Sequence, residues 1–300
     1  MEKIKSLKKI FRREKIEGYI IPKNDEFFSE YIQDHNDRLN YITNFSGSYG
    51  FALILKEKNY LFVDGRYTLQ ANNQSGKSFK IVTIPDKMPC DILKEKKISI
   101  GFDPNLFTKK SLSAFFGKSE CIYKPIFKNL IDKIWKRKKN KNIKPFYLIK
   151  NKDAGANIQV KLNTLTKIIK KNKADYLFAT APENISWLLN IRGRDTEYSP
   201  LAYAHATIDK KGNVNLFCDL KKINNSFKSK LGKNVKITNF DSLPNIIQKM
   251  SKKKILVDSL TCSIFYKSII KKNNYILLKP DPIYYLKSLK NNIEIHNTVK

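Results

Sequence analysis

The 300-residue chain repeats itself, and that repeat limits what it can fold into more than any other feature. Tyr41-Ile42-Thr43-Asn44-Phe45 in the first half is answered by Trp187-Leu188-Leu189-Asn190-Ile191 in the second. Leu61-Phe62-Val63-Asp64 is answered by Leu216-Phe217-Cys218-Asp219. Between these anchors each half carries an apolar hairpin closed by a turn drawn from Lys, Asn and Gly, at 56–59 and at 210–213. Ahead of the first anchor each half reads helix, strand, helix. Self-similarity over this length predicts two copies of one α/β unit. The second copy adds Arg192-Gly193-Arg194-Asp195-Thr196-Glu197-Tyr198-Ser199-Pro200. Insertions on a repeated scaffold are where function concentrates.

Apolar spacing supplies the individual elements. Residues 2–15 place Ile4, Leu7, Ile10 and Phe11 on one helical face. Residues 18–22 read as a short buried strand, and a helix is expected from the cap Asp25, carrying Phe28, Tyr31 and Ile32. Strands follow at 51–55 and 60–63, a helix from Tyr67, strands near 80–84 and 98–102, and a helix around 109–116. The run from Trp135 to Asn142 is charged and aperiodic, and reads as a linker. The second half opens with a helix over 157–172, then a strand over 175–180, a helix over 182–189 and a hairpin pairing 202–208 with 214–218. Strands and helices alternate to Lys279, and a last helix runs from Pro282 toward Val299. The expected fold class is α/β, with two tandem domains, each a mixed β-sheet flanked by helices. Their expected bounds are 1–146 and 147–290, with 291–300 outside both.

The formal net charge of +31 invites a nucleic-acid reading. Arg argues against sequence-specific recognition: it supplies seven of the 58 basic residues, at 12, 13, 38, 66, 137, 192 and 194. Bidentate contacts to phosphates and bases favour Arg. The lysines are spread along the whole chain, so weak sequence-independent binding at low salt is the expectation. Cys90, Cys121, Cys218 and Cys262 form no C-x-x-C pair and no zinc spacing, which fits reduced thiols in a cytoplasmic protein. No apolar run reaches the roughly 18 residues of a membrane span. Residues 1–17 lack the continuous apolar core of a signal peptide.

A search for catalytic chemistry finds none. His35, His205 and His296 lie far apart, with no H-x-x-x-H pair, no G-x-S-x-G and no phosphate-cradling glycine loop. His205 alternates within a strand and reads as structural. Ser46, Gly47, Ser48 and Gly50 form a small-residue turn. Asp64-Gly65-Arg66-Tyr67 ends a strand, and strand ends line crevices in α/β sheets. There Arg66 has two readings: a fork for a carboxylate ligand, or a salt bridge to Asp64 or Glu30. Arg192 and Asp195 have the same two readings, ligand contact or stabilisation of the inserted loop.

Several segments, in order, resemble the amino-terminal domains of the aminopeptidase P (Xaa-Pro aminopeptidase) family of creatinase-like metallopeptidases. They are Ile21-Pro22 with Asp25 and Ser29-Glu30-Tyr31-Ile32, then Arg38 to Gly50, Asp64-Gly65-Arg66-Tyr67 and Asp132-Lys133-Ile134-Trp135. Ile185 to Gly193, Asp195 and Pro200 follow. Phe27 stands where the family has His, and lysines replace the Arg-Pro after Trp135. The resemblance implies two tandem creatinase N-terminal-like domains. It implies that 291–300 begins a pita-bread catalytic domain holding two divalent ions, preferably manganese, that is otherwise missing here. No catalytic or metal-binding residue is then expected in this chain. Arg66 is expected to reach toward substrate, and Asn190, Arg192 and Asp195 to shape the contact with the catalytic domain. The implied role is non-catalytic shaping of access for X-Pro peptides in a cytoplasmic, dimeric parent enzyme, with no specific nucleic acid and no membrane as partners. Three alternatives stand beside it: a peptide-binding module of an inactive homologue, as in histone chaperones, which the positive charge disfavours; a nucleic-acid-binding module; and a creatinase-type amidinohydrolase.

Overall fold

The computed structural model describes residues 2–137 and 143–299. The chain divides into two compact units, Met1–Asn140 and Lys141–Lys300.

The first unit runs α1 (Glu2–Glu14), β1 (Gly18–Pro22), α2 (Arg38–Thr43), β2 (Phe51–Leu55), β3 (Asn59–Asp64), α3 (Thr68–Ser75), β4 (Lys80–Ile84), α4 (Pro89–Ile92), β5 (Ser99–Phe102), α5 (Lys109–Phe116), β6 (Ile122–Pro125) and α6 (Leu130–Ile134). Its sheet has the order β4-β3-β2-β1-β5-β6. Every neighbouring pair is parallel except those made by β2. Strands β1 and β2 are buried at every residue, as the continuous apolar runs Gly18–Pro22 and Phe51–Leu55 require of central strands covered on both faces. Helix α1 buries Ile4, Leu7 and Phe11, one face at helical spacing. Each such side chain contributes roughly 1.5–3 kcal/mol of transfer free energy.

The second unit runs β7 (Tyr147–Leu148), α7 (Asn151–Ala154), α8 (Ile158–Lys171), β8 (Tyr176–Ala179), α9 (Pro182–Leu188), β9 (Ile191–Arg192), β10 (His205–Asp209), β11 (Val214–Cys218), α10 (Asn225–Lys230), β12 (Val235–Asn239), α11 (Leu243–Lys249), β13 (Lys254–Val257), α12 (Ile264–Asn273), β14 (Tyr275–Leu278), α13 (Pro282–Ser288) and α14 (Asn292–Val299). Its main sheet has the order β12-β11-β10-β8-β13-β14, with β10 as the antiparallel member. Strand for strand this is the topology of the first unit, as the repeated strings predict. The repeat extends to backbone conformation: Asn44 and Asn190, at matching places in the two strings, both take left-handed φ, 64° and 51°. Asn adopts that region more readily than most residues. Among the described residues only the second unit adds a two-stranded sheet, β7 with β9.

The structure corrects two of the expected elements. No α-helix starts at Asp25. Its Oδ1 accepts hydrogen bonds from the Phe27 and Ser29 amides, and Phe28 sits at φ 55°. The side chain caps a tight turn, and the left-handed residue prevents a helix from propagating. The helix expected from Pro282 to Val299 is two helices. Asn291 starts the second: its Oδ1 accepts from the Ile293 and Glu294 amides, while Glu294 Oε2 accepts from the Asn291 amide. That reciprocal cap breaks the run. Of the expected linker, Trp135 stacks on Tyr41 with ring centroids 4.7 Å apart, and residues 138–142 lie outside the described residues. Phe146 is buried in the second unit's core, and the Asn291 side chain donates to the Ala154 carbonyl of that unit.

Candidate functional site

In the first unit β1, β3, β4, β5 and β6 all run one way, so their carboxyl ends share one side of the sheet. Arg66 stands there, in a single 3-10 turn after β3. Asp64 builds the turn, with Oδ1 accepting from the Arg66 amide. The same carboxylate holds the guanidinium, with Nη2 to Oδ2 at 2.7 Å and Nε to Oδ1 at 3.2 Å. Hydrogen bonding to Arg66 lowers the Asp64 pKa, and the partnership raises that of Arg66. The Arg66 side chain is 77% exposed. Of its two readings, the salt bridge to Asp64 is present, and exposure leaves the cation open to a ligand as well.

The small-residue turn has a packing cause. A Cβ on Gly47 would sit 2.2 Å from Cζ of Phe45 and 2.9 Å from Cδ1 of Tyr67. Those two rings meet edge to face at 5.8 Å, and the Tyr67 hydroxyl lies 2.7 Å from Ser48 Oγ. The turn thus fastens the Arg66 turn to the core.

Arg38 entered the sequence reading only as the start of the string to Gly50, with no role of its own. It is 3% exposed at the first position of α2. Its Nε and Nη2 donate to Asp132 at 2.9 and 3.1 Å, and Nη2 also donates to Glu26. Burial pushes its pKa down, but the two carboxylates outweigh burial and hold it above its ordinary value. A cation opening a helix is disfavoured by the dipole, but the sequence reading places no helix over 38–43. Such a position calls for acidic partners from elsewhere in the chain.

In the second unit, Asn190, Arg192 and Asp195 are each held by hydrogen bonds. The Asn190 side chain donates to the Ala156 carbonyl at 2.8 Å and accepts from Lys161 Nζ at 2.6 Å. Arg192 Nη1 donates to the Ser186 and Ile191 carbonyls at 3.1 and 2.9 Å, and burial lowers its pKa. Asp195 is buried. Its Oδ2 accepts from the Tyr203 amide at 2.7 Å and its Oδ1 from Lys222 at 2.6 Å. Between them Gly193 approaches the Leu201 carbonyl so closely that a Cβ would stand 2.6 Å from its oxygen. All three residues therefore have partners inside their own unit.

Lys161 was also missed, because its helical position reads as one more solvated lysine. Its Nζ donates to the Trp187 carbonyl at 2.7 Å as well as to Asn190, and stands 4.2 Å from the centre of the Trp187 ring. Burial lowers its pKa to about 8. Trp187 Nε1 donates to Glu294, which extends the network to α14. A cavity of about 440 Å³ opens beside Asn190, walled by Phe146, Leu148, Ile158 and Phe227, with Lys150 and Lys230 at its edge.

His205 and two of the cysteines lie buried in the second unit's packing. His205 is packed among Phe178, Phe240 and Tyr266, and burial lowers its pKa to about 4. Burial raises the Cys218 and Cys262 thiols to about 12. Among the described residues no three His, Cys, Asp or Glu side chains come together as a metal site. Among them, too, no helix is long and apolar enough to cross a membrane.

Two family models, both described as Creatinase/Prolidase N-terminal domain, match residues 3–121 and 137–294. Xaa-Pro aminopeptidase 1 of Dictyostelium discoideum is 30% identical over 98% of this chain and 49% of its own length. A probable Xaa-Pro aminopeptidase P of Coprinopsis cinerea is 27% identical over 98% of this chain and 51% of its own. A crystal structure of X-prolyl aminopeptidase from Caenorhabditis elegans, described as a cytosolic enzyme with a di-nuclear active site, superposes with a TM-score of 0.89 at 26% identity. That match covers 98% of this chain and 52% of the other. The chain thus spans about half the length of these relatives.

Proposed function

The chain belongs to the creatinase/prolidase N-terminal domain family through both of its units, and from that premise we propose that it forms the substrate-gating half of an Xaa-Pro aminopeptidase. The observation that carries this reading is the likeness, end to end and in order, to a solved X-prolyl aminopeptidase. The proposed parent is cytoplasmic and dimeric, and removes the first residue from X-Pro peptides. It draws on two divalent ions, preferably manganese, held by residues outside these 300. A Lewis-acidic pair of that kind activates water and polarises the scissile carbonyl. The tertiary X-Pro amide lacks an N–H, so recognition rests on shape and on the peptide's termini.

Within this chain, Arg66 is the proposed substrate contact. Asp64 fixes its fork from behind while leaving the guanidinium open to solvent. A carboxylate-bearing peptide is the ligand such a fork suits. Asn190, Arg192 and Asp195 are proposed to set the shape of the loop over 193–200 against the catalytic half.

The test has two parts. The 300-residue chain alone, loaded with Mn²⁺ and given an X-Pro tripeptide, is expected to release no amino acid, and turnover would defeat the gating reading. In the full-length parent, Arg66→Ala is expected to lower kcat/KM for X-Pro peptides by at least about tenfold, the scale of one lost charged contact. An unchanged kcat/KM would remove Arg66 from the substrate path.

A further inference from the structure

The strands of the second unit gather lysine at one end. Strands β8, β11, β12, β13 and β14 run parallel and start on the same side of the sheet. Five segments feed that side. They bring three lysines between 170 and 173, Lys210 and Lys211 in the hairpin turn, Lys233 ahead of β12, three at 252–254 and two at 271–272. All of these side chains are exposed. The same segments carry two acids, and both are engaged. Asp209 accepts from the Lys211 and Asn213 amides of its own turn. Asp175 accepts from Lys210 Nζ at 2.9 Å and from the Lys254 amide at 3.0 Å. Among the described residues only Lys210 of this group pairs with a carboxylate.

Helix-dipole complementation accounts for part of the pattern. Lys170 and Lys171 end α8, and Lys271 and Lys272 end α12. It does not account for the lysines of the hairpin turn or of the entries to β12 and β13. The opposite end of the same unit holds Glu183, Asp219, Asp258 and Asp281 at or just after strand ends. Lys221, Lys222 and Lys279 share that end, so its charge is nearly balanced, while the lysine edge carries a large positive excess. Six strands spaced about 4.8 Å apart give the cationic edge a breadth of roughly 24 Å. That breadth faces about seven base pairs of duplex at about 3.4 Å each.

We propose that this edge of the second sheet is a docking face for the phosphodiester backbone of nucleic acid, engaged without selection of bases. The chemistry favours the backbone because the face carries lysine and no arginine, and lysine meets phosphate as a point charge where arginine forks onto base edges.

The test is fluorescence anisotropy of a labelled mixed-sequence duplex of about 20 base pairs, across 50–200 mM KCl, with the full 300-residue chain. One phosphate contact for each of the five segments predicts a slope of log K against log salt of about −4.5. Replacing Lys170, Lys171, Lys252, Lys253, Lys271 and Lys272 by Gln is expected to weaken binding at least tenfold and roughly halve the slope. A control replaces Lys58, Lys77, Lys94, Lys96, Lys109 and Lys118 of the first unit by Gln, and so removes the same charge. It is expected to stay within about threefold of the parent. The six second-unit Lys→Arg changes, which keep the charge, are expected to retain binding, and circular dichroism checks that every variant folds. Equal losses in the two Lys→Gln sets would overturn the proposal, because total charge would then suffice. So would loss of binding in the Lys→Arg set, absence of duplex binding at 50 mM KCl, or capture by phosphatidylserine vesicles in place of the duplex.

Discussion

The two units solve one topological problem with different polar chemistry. In both, the helix after the first strand of the sheet packs against the helix that follows the last strand: α2 on α6, and α9 on α13. The first unit ties that pair with charge, through Arg38 to Asp132. The second ties it with hydrogen bonds: Asn184 Nδ2 donates to Asp281 at 2.8 Å, and the Tyr284 hydroxyl donates to Glu183 at 2.6 Å. Other strand-end positions kept their chemistry. Asp64 and Asp219 each cap a 3-10 turn by accepting from the amide two residues on, and Asp103 and Asp258 do the same for Asn105 and Leu260. Turn-building carboxylates depend on local backbone geometry and recur. Ties between helices need only satisfy a buried polar group, and several chemistries do so.

The comparison can be broken most forcefully at Arg38. Arg38→Ala leaves Glu26 without its cation and Asp132 with Arg137 alone, and empties the space of a buried side chain; it is expected to cost the first unit about 2–3 kcal/mol. Each unit holds one tryptophan, Trp135 or Trp187. Urea unfolding of single-tryptophan versions therefore shows which unit weakened, and a loss confined to the Trp187 signal would contradict the assignment.

Asp281 gives the next largest effect, of opposite sign. Burial raises its pKa from 3.8 to about 6. The unfolded chain therefore ionises first. The stability Asp281 contributes is fully present below about pH 4 and is lost as pH rises through about 6. Asp281→Asn removes that loss, and its amide can donate to Asn184 Oδ1, which has no partner in the described structure. The variant is expected to be more stable than the parent at pH 8 by roughly 1–3 kcal/mol, with the gain shrinking toward pH 4. A gain that did not vary with pH would show that Asp281 is not the titrating group.

Gly193→Ala sharpens the contrast at the insertion, which the first unit lacks. Its Cβ meets the Leu201 carbonyl, and a backbone shift is expected to cost about 1–3 kcal/mol. Faster proteolytic nicking within 193–200 is the readout. Arg66→Ala is expected to do least to the fold. The Asp64 pair is solvent-exposed, so the melting midpoint should stay within about 1 °C while the parent's peptide turnover falls. A large drop in stability would make Arg66 structural instead.

Much of this fold was legible in the residues. Buried strands β1 and β2 declared themselves by unbroken apolar runs, and α1 by its 3.6-residue stripe. Strand β6 did not, because it is an edge strand with three of its four residues exposed and carries no burial signal. The site was half legible. Asp64-Gly65-Arg66 could be read because a turn and its cap are consecutive in the chain. Arg38 could not, since its partner Asp132 lies 94 residues away. Lys161 looked like every other lysine until folding placed it against Trp187.

Periodicity and repetition in the chain were enough to specify two like α/β units, because apolar burial acts on local, countable patterns. Which cations became buried, which carboxylates they met, and which lysines came together on one sheet edge were decided by tertiary structure alone. Electrostatic energy depends on distance and solvent exposure in space, and neither is written in the order of residues.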